Sequence, residues 1–203
     1  MTKIKLCGCF REEDIQTANI LHPDYIGFVF FNKSHRYVAQ AQALKLKRLL
    51  SPTIRAVGVF VNEDIENVMH LLSEGIIDLA QLHGDEDEDY ILRLQERFGK
   101  PVIKAFVLRK KDDIIKAEKS PAGHILLDAG MRDGTTLNWD DLQDIRRPYF
   151  LAGGLDPENV INAVKTLHPF AVDVSSGIET NRIKDPRKME AFVNAVRRID
   201  HNG

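Results

Sequence analysis

The sequence predicts a single α/β domain, residues 1–203, whose strands close into a barrel. Short apolar runs alternate with longer amphipathic segments along the chain. The apolar runs recur every 21 to 30 residues, beginning near Ile4, Tyr25, Arg55, Ile76, Pro101, His124, Pro148 and Phe170. Each interval has the length of one strand followed by one helix. Eight such units are the number that forms a (β/α)8, or TIM, barrel, near the lower size limit for that fold.

The segments between the apolar runs have the features of helices. Two sets of apolar residues each share one helical face: Ile65, Val68, Met69 and Leu72, and Met189, Phe192, Val193 and Val196. Asp156-Pro157 and Asp185-Pro186 each place a capping carboxylate before a proline suited to the first helical turn. The acidic residues 12–14 and 85–89 are interpreted as solvated first turns of the first and fourth helices. Residues 130–144 have little helical periodicity, which predicts a long loop with at most a short helix.

Composition excludes several classes of partner. A 43% hydrophobic content allows a sizeable core, and 28 Lys and Arg nearly balance 30 Asp and Glu. No long block of like charge favours nucleic acid or a membrane surface. The N-terminus lacks the apolar stretch of a signal peptide, and the longest apolar run, residues 25–31, is too short to span a bilayer. We therefore expect a cytoplasmic protein whose partner is a small molecule.

The first strand end argues against two other interpretations. Cys7 and Cys9 are separated by one residue, which is too close for an unstrained disulfide, and two thiols alone are weak evidence for a metal site. An open, doubly wound sheet would need a nucleotide-type glycine loop after its first strand. The segment Cys7-Gly8-Cys9-Phe10-Arg11 lacks that pattern. The closed barrel is therefore favoured.

Polar and reactive residues follow one apolar run after another. In order along the chain they are Cys7-Gly8, Asn32 to Arg36, Asn62, Gln81 to Gly84, Lys104, Asp128, Gly153-Gly154 and Ser175-Ser176-Gly177. Because a (β/α)8 barrel gathers the C-terminal ends of its strands at one face, these residues predict an active site there. The residues at one strand end alone are weak evidence. The prediction of an active site rests on polar residues recurring at all of these strand ends.

The same strand ends resemble the phosphoribosylanthranilate isomerases over nearly the whole chain. The matching strings are Lys5-Leu6-Cys7-Gly8, Gly27-Phe28-Val29-Phe30, Ser34-His35-Arg36-Tyr37-Val38, Val57-Gly58-Val59-Phe60, Gln81-Leu82-His83-Gly84, Leu126-Leu127-Asp128, Ala152-Gly153-Gly154-Leu155 and Asp173-Val174-Ser175-Ser176-Gly177-Ile178-Glu179. The resemblance implies a cofactor-free and metal-free isomerase of tryptophan biosynthesis, a monomer or homodimer. The implied reaction is an Amadori rearrangement of N-(5-phosphoribosyl)anthranilate to 1-(2-carboxyphenylamino)-1-deoxyribulose 5-phosphate.

The resemblance makes Asp128 the general acid, which protonates the furanose oxygen, and Cys7 the general base, which removes the proton from C2. Burial beside an apolar strand should help Asp128 to hold its proton, and a nearby cation should favour the Cys7 thiolate. Lys5 points the same way as Cys7, one layer deeper. A buried lysine needs a counter-charge, so we expect a Lys5–Asp173 ion pair on neighbouring strands. Lys5 could otherwise be an interior residue without a catalytic role.

The two anionic ends of the implied substrate have candidate sites. The planar fork of Arg36 suits bidentate binding of the anthranilate carboxylate, although a surface arginine is the ordinary alternative. Five residues ending the seventh and eighth strands are expected to hold the phosphate through backbone N–H groups: Gly153, Gly154, Ser175, Ser176 and Gly177. The dipole of a helix starting at Asp156-Pro157 would assist. His83 either orients a substrate group or is a hydrogen-bonded histidine at a strand end.

The sequence departs from the family in two loops. Residues 131–139 contain one glycine where family members carry a longer Gly-Gly-Thr-Gly loop, so closure over substrate is in question; Arg132 could compensate as a phosphate clamp, and Trp139 is expected to pack this loop. Arg182 lies near the place of an expected glycine.

Three alternative functions stay open. A histidine-pathway barrel isomerase would carry aspartate in place of Cys7, a Schiff-base aldolase would use Lys104, and a non-catalytic barrel would only bind a phosphorylated ligand.

Overall fold

The strands of the barrel pair in chain order, and the last pairs with the first. The computed structural model describes residues 1–129, 142 and 145–201. The eight parallel strands are β1 Lys3–Cys7, β2 Tyr25–Val29, β3 Arg55–Phe60, β4 Leu79–Leu82, β5 Ile103–Val107, β6 His124–Asp128, β7 Tyr149–Ala152 and β8 Ala171–Val174. Pairing of β8 with β1 sets Asp173 opposite Lys5 and closes the sheet. The predicted closed barrel is confirmed.

Helices follow the strands and cover the outside of the barrel. Those in the described part of the chain are α1 Glu12–Leu21, α2 Gln40–Leu49, α3 Ile65–Ser73, α4 Glu88–Phe98, α5 Lys111–Lys119, α6 Val160–Leu167 and α7 Pro186–His201. A short hairpin of β9 Glu179–Thr180 and β10 Ile183–Lys184 lies between β8 and α7. The predicted loop at 130–144, with Arg132 and Trp139, lies outside the described residues apart from Leu142.

Alternation along the strands divides the core into two layers. One large buried cluster joins outward strand residues such as Leu6, Ile26 and Phe28 to the apolar faces of the helices. A second cluster, which includes Tyr25, Leu126 and Phe150, consists mainly of the alternate strand residues and therefore fills the inside of the barrel. Lys5 and Cys7 share the inward alternation of β1, so both face the interior.

The two predicted helix caps have different outcomes. Asp185 accepts hydrogen bonds from the backbone N–H groups of Arg187 and Lys188, and α7 begins directly after it, as predicted. The carboxylate of Asp156 likewise accepts from Glu158 and Asn159, but it caps a turn, and α6 begins only at Val160. The prediction that this helix starts at Asp156-Pro157 is therefore wrong by one turn.

Two acidic side chains that were interpreted as solvated are buried instead. Asp14 is 1% exposed, because its carboxylate accepts hydrogen bonds from the backbone of Phe10 and Arg11 and from the Arg11 guanidinium. Glu86 is buried through contacts with Lys104 and with the loops after β3 and β4, which are described below. Only the remaining acidic residues of each run fit the interpretation of exposed first turns. In the parts of the chain that the structure describes, none of the helices has the length and apolarity that crossing a bilayer requires.

Candidate active site

Cys7 and Asp128 lie at the same rim of the barrel. Cys7 is the last residue of β1 and Asp128 the last residue of β6, and parallel strands end at one face. Cys7 shares the inward alternation of Lys5, and Asp128 that of Leu126, so both side chains face the mouth. Two strands, β7 and β8, separate their strands around the barrel. This arrangement places a thiol and a carboxyl group at one opening, as the acid–base hypothesis requires.

The predicted ion pair beneath Cys7 is confirmed. The Nζ atom of Lys5 lies 3.0 and 2.9 Å from the two carboxylate oxygens of Asp173, and the lysine side chain is fully buried. Burial opposes the charge on Lys5, but the nearby Asp173 and Cys7 outweigh it and raise the pKa of the lysine. Lys5 is therefore a fixed cation directly below the thiol.

Burial controls the ionisation of Cys7. The loss of solvent raises the pKa of the Cys7 thiol, and although the charge and hydrogen bond of Lys5 lower it, the net shift is upward. The sequence-based expectation of a cation that favours the thiolate is right about the direction of the Lys5 effect. Desolvation is the larger contribution, however, so the pKa of the thiol is raised overall. In the resting protein the thiol is the favoured form.

Asp128 has a histidine beside it. The Oδ2 atom of Asp128 lies 3.8 Å from Nε2 of His83, and each side chain is about 29% exposed. Burial lowers the pKa of His83, so its ring is neutral near pH 7. On the other side of the ring, Nδ1 lies 3.2 Å from Nε2 of Gln81. A ring that accepts from Gln81 at Nδ1 carries its proton on Nε2, toward Asp128.

Gln81 was named among the polar residues at the strand ends, but it was given no role. Its side chain is buried, and within the described residues its Oε1 atom has no hydrogen-bond partner. Gln81 and His83 are two residues apart on the inward alternation of β4 and the loop that follows. That alternation was the available signal, since any polar residue two positions before His83 must face the inside of the barrel.

Arg36 lies at the mouth, but a carboxylate of the protein already occupies part of its fork. Its Nε and Nη2 atoms donate to the two carboxylate oxygens of Glu179 at 2.6 and 2.7 Å. The aliphatic part of Arg36 lies over Gly8, where a Cβ would overlap its Cδ atom. Arg36 is thus fixed next to Cys7, as a substrate-binding residue would be. However, its side-on edge is not free for the bidentate capture that the sequence suggested.

Glu179 is held from its other side by Lys184. The Nζ atom of this fully buried lysine donates to Oε1 of Glu179 at 2.7 Å and to the carbonyl of Ser175 at 2.9 Å. Burial alone would raise the pKa of Glu179, but the hydrogen bonds from Arg36 and Lys184 lower it to about 2. Glu179 is therefore an anion at any physiological pH. Sequence reasoning quoted Glu179 without a role and missed Lys184.

The predicted phosphate-binding residues lie together where β7 and β8 end. Gly153 and Gly154 have φ values of 97° and 67°, a left-handed conformation that favours glycine, and their N–H groups donate to no acceptor among the described residues. Ser175 precedes a 3-10 helix of Ser176, Gly177 and Ile178. A Cβ at Gly177 would overlap the carbonyl oxygen of Leu155, so the two loops pack directly together. Successive open N–H groups of this kind suit an anion.

Lys104 has a structural environment that disfavours Schiff-base chemistry. Its Nζ atom donates to Oε2 of Glu86 at 2.8 Å and to the carbonyl of Gly84 at 2.6 Å. Glu86 also accepts from the backbone N–H groups of Asn62 and Gly84, which joins the loops after β3 and β4. A Schiff base needs a free amine, whereas an ammonium paired in this way stabilises the rim.

Comparisons with known proteins agree with the geometry. A family model described as N-(5'-phosphoribosyl)anthranilate (PRA) isomerase matches residues 4–195. The N-(5'-phosphoribosyl)anthranilate isomerase of Endomicrobium trichonymphae is 46% identical over 204 residues, which cover 98% of this chain and all of that protein. The crystal structure of phosphoribosyl anthranilate isomerase from Thermotoga maritima superposes with a TM-score of 0.87 at 35% identity, covering 97% of this chain and 99% of that one.

A further solved isomerase, with the same TM-score, identity and coverage, is in complex with reduced 1-(o-carboxyphenylamino)-1-deoxyribulose 5-phosphate. That ligand carries a carboxylate at one end and a phosphate at the other, which are the two groups that Arg36 and the glycine-containing loops were predicted to hold. The matched residues include Cys7 at the end of β1 and the whole of β8, the last strand of the barrel. The chain belongs to the N-(5'-phosphoribosyl)anthranilate isomerase family of enzymes.

Proposed function

We propose that this chain converts N-(5'-phosphoribosyl)anthranilate to 1-(2-carboxyphenylamino)-1-deoxyribulose 5-phosphate by an Amadori rearrangement in tryptophan biosynthesis. The observation that carries the proposal is the placement of Cys7 and Asp128, both inward-facing, at the ends of β1 and β6. The reaction needs one acid and one base that reach the same sugar, and these two groups share one opening. The family membership supports the same reaction.

In the proposed first step, Asp128 donates its proton to the furanose ring oxygen. The C1–O bond breaks, and the nitrogen lone pair forms the C1=N bond of a protonated Schiff base. His83 is the neighbour that assists, because a neutral ring with its proton on Nε2 can donate toward the carboxylate that remains.

In the second step, the Cys7 thiolate removes the proton from C2, and the electron pair moves through C1 to nitrogen. The resulting enolamine tautomerises to the ketone. The raised pKa of Cys7 has two effects on this step: the thiolate is a minor species, and it is a stronger base once formed. Lys5 stabilises that thiolate from below.

Substrate binding divides among three surfaces of the mouth. Arg36 binds the anthranilate carboxylate, and the phosphate lies against the loop residues Gly153, Gly154, Ser175, Ser176 and Gly177. Beside Cys7, the buried side chains of Val29 and Val59 pack with Cys7 and Phe31 into a small apolar cluster. An aromatic ring placed there would keep its carboxylate near Arg36 and bring its sugar over the thiol.

Oligomeric state and location stay predictions. One solved relative from Thermotoga maritima is dimeric, and monomers of it have been generated, so either state is compatible with this fold. We propose a monomer or homodimer that acts on a small phosphosugar in the cytoplasm.

Turnover by the purified chain tests the proposal. Without added metal or cofactor, the wild type should consume phosphoribosylanthranilate, measured as loss of its anthranilate-type fluorescence. Cys7→Ala and Asp128→Asn should each lower kcat by a factor of about 10² to 10⁴, since each removes one proton-transfer group. Arg36→Ala should mainly raise KM. Full activity of Asp128→Asn would contradict the mechanism, and failure to complement a tryptophan auxotroph lacking this isomerase would contradict the function.

A further inference from the structure

The mouth of the barrel contains a connected group of charges outside the acid–base pair. It consists of Arg36 on the loop after β2, Glu179 on β9 and Lys184 on β10. Glu179 accepts two hydrogen bonds from Arg36 and one from Lys184, all between 2.6 and 2.7 Å. The Glu179 side chain is only 6% exposed, and Lys184 is fully buried. Because these hydrogen bonds are short and largely shielded from solvent, they hold the guanidinium in one orientation.

That orientation decides which donors of Arg36 remain available. Glu179 takes the Nε and Nη2 edge of the guanidinium, while Nη1 makes no hydrogen bond to a described residue. The aliphatic part of Arg36 is fixed over Gly8, next to Cys7. Arg36 keeps about 15% of its side chain exposed. A substrate carboxylate can therefore use only the end-on edge, formed by Nη1 and the outer N–H of Nη2.

The charges of the group also favour an anion. Arg36 and Lys184 contribute two positive charges and Glu179 one negative charge, so one positive charge is left. His35, whose Nε2 lies 3.6 Å from Glu179, adds none near neutral pH, because burial and the neighbouring Arg36 lower its pKa. A single uncompensated positive charge, carried by a preorganised planar donor, matches one carboxylate.

We propose that Glu179 is a positioning residue for substrate binding: it holds Arg36 so that the end-on edge meets the substrate carboxylate. The inference rests on the proposed function of the mouth and assigns Glu179 a role within it. Lys184 anchors Glu179 and, through the Ser175 carbonyl, ties this end of the mouth to the loop proposed for the phosphate. Glu179 acts only through Arg36 and makes no contact with the reacting atoms.

A double-mutant cycle tests whether Glu179 acts through Arg36. The four proteins are the wild type, Glu179→Gln, Arg36→Met and the double variant, each assayed for kcat and KM with phosphoribosylanthranilate. Glu179→Gln should raise KM by a factor of about 10 or more while kcat changes less than about threefold, because the lost interaction is one of binding. In the Arg36→Met background the same substitution should change KM by less than about twofold. Equal effects in both backgrounds would overturn the proposal.

Two further measurements separate positioning from general damage. An analogue of the reduced product that lacks the ring carboxylate should bind the wild type and Glu179→Gln equally, whereas reduced 1-(o-carboxyphenylamino)-1-deoxyribulose 5-phosphate should bind the variant more weakly. If Glu179→Gln bound both ligands more weakly by the same factor, Glu179 would have no specific role at the carboxylate. Glu179→Asp keeps the charge and should therefore raise KM less than Glu179→Gln does. If Glu179→Gln does not fold, Glu179→Asp takes its place in the cycle, and its effect on KM should likewise disappear in the Arg36→Met background.

Failure of this inference and failure of the proposed function give different results. A wild type that neither turns over substrate nor binds the reduced product would overturn both. An active wild type whose KM is unchanged by Glu179→Gln would overturn only the role of Glu179.

Discussion

The thiol of Cys7 is subject to opposing influences from its surroundings. Burial and the carboxylate of Asp173 raise its pKa, while Lys5 and Lys184 lower it, and the upward contributions prevail. A raised pKa has two consequences for a general base. Fewer molecules carry the thiolate, and each thiolate that forms is a stronger base toward the C2 proton. Lys5 limits how far the balance moves toward the neutral thiol.

Replacing Lys5 by Met should therefore raise the pKa of Cys7 further. Without the Lys5 cation, burial and the negative charge of Asp173 are opposed by the smaller effect of Lys184, so the pH midpoint of the Cys7 titration should rise by about one unit or more. The measurement is the rate of iodoacetamide alkylation against pH in a Cys9→Ala background, which leaves Cys7 as the only thiol. Burial raises the pKa of Cys9 to about 12, so without this substitution Cys9 would also react at the alkaline end of the pH profile.

Lys104→Met provides a matched control for that experiment. It also removes a buried lysine from an ion pair, but this lysine lies on β5 and its partner, Glu86, lies on the loop after β4. Its effect on the Cys7 midpoint should be small in comparison. A midpoint that Lys5→Met leaves in place, or equal shifts in both variants, would show that Lys5 has no specific influence on the thiol.

For single residues, the sequence predicted those positions that follow from the geometry of the strands. Lys5 and Asp173 follow from alternation on β1 and from the neighbouring position of β8 in a closed barrel. The role of Glu179 was not predictable in the same way, because Glu179 lies beyond a 3-10 turn whose direction depends on tertiary contacts with Lys184. Arg36 was consequently predicted to offer a free fork.

Among the elements, the β9–β10 hairpin has a turn that its sequence does not favour. Thr180 pairs with Ile183, so Asn181 and Arg182 form a two-residue turn, with φ values of 51° and 66°. Positive φ at both central residues is the type I′ pattern, for which Asn-Gly is the preferred sequence. Arg182 therefore occupies a position that favours glycine, near the place where the resemblance in sequence implied one. The strained turn connects the two strands that carry Glu179 and Lys184.

Arg182→Gly should stabilise the folded protein. The left-handed conformation costs a non-glycine residue about 1–2 kcal/mol, and the extra freedom of glycine in the unfolded chain cancels part of that gain. We expect a net gain of about 0.5–1 kcal/mol, or roughly 1–4 °C in Tm, measured by thermal and urea unfolding.

Asn181→Gly is the control for the hairpin, because asparagine tolerates the left-handed region. It should change stability less than Arg182→Gly does. A neutral or destabilising Arg182→Gly would mean that the arginine side chain makes a compensating contact, and the strain argument would fail.

The other elements were predictable to the extent that local signals determined them. Apolar runs located the strands, and Asp185-Pro186 located the start of α7. Asp156-Pro157 has the same local signal, yet α6 begins one turn later, because Asn159 turns back to bond Gly154 and the backbone N–H of Asp156. Loop packing at a strand end decides such a boundary, and local sequence does not encode it.

Over the whole molecule, the barrel interior changes character from one end to the other. Near the N-terminal ends of the strands, aromatic rings pack together, including Tyr25 and Phe150, whose centroids are 5.5 Å apart. The Lys5–Asp173 pair lies above them, followed by Cys7 and Asp128 at the mouth. The apolar end supports stability and the polar end supports chemistry, as is usual for this fold.

His124 is a histidine that lies among the aromatic rings of the apolar end. Its ring stacks on Phe170 at a centroid distance of 5.4 Å and meets Phe150 edge-on at 5.7 Å. Burial lowers the pKa of His124, and the positive charges of Arg147 and Arg55 lower it further. The folded protein therefore keeps this ring neutral at a pH where the unfolded chain would protonate it.

That difference in proton binding predicts how stability depends on pH. Below about pH 6.5, the ordinary value for histidine, the unfolded state binds more protons at His124 than the folded state, so stability falls as pH falls. His83 and His35 have lowered pKa values and act in the same direction. His124→Phe keeps an aromatic ring in the stack and removes one titration. It should flatten the slope of unfolding free energy between pH 7.5 and 5.0 by at most about 1.4 kcal/mol per pH unit.

Urea unfolding at intervals across that range measures the slope. The lower limit of pH 5.0 excludes Glu179, whose pKa of about 2 makes its stabilising contribution fall away only in more acidic solution. His124→Phe should also retain turnover, because His124 begins β6 at the end of the barrel opposite Asp128. Parallel pH profiles for the wild type and the variant would show that His124 is not held neutral by the fold. The acid sensitivity would then have to arise at His83 and His35, in the part of the barrel that we propose binds substrate.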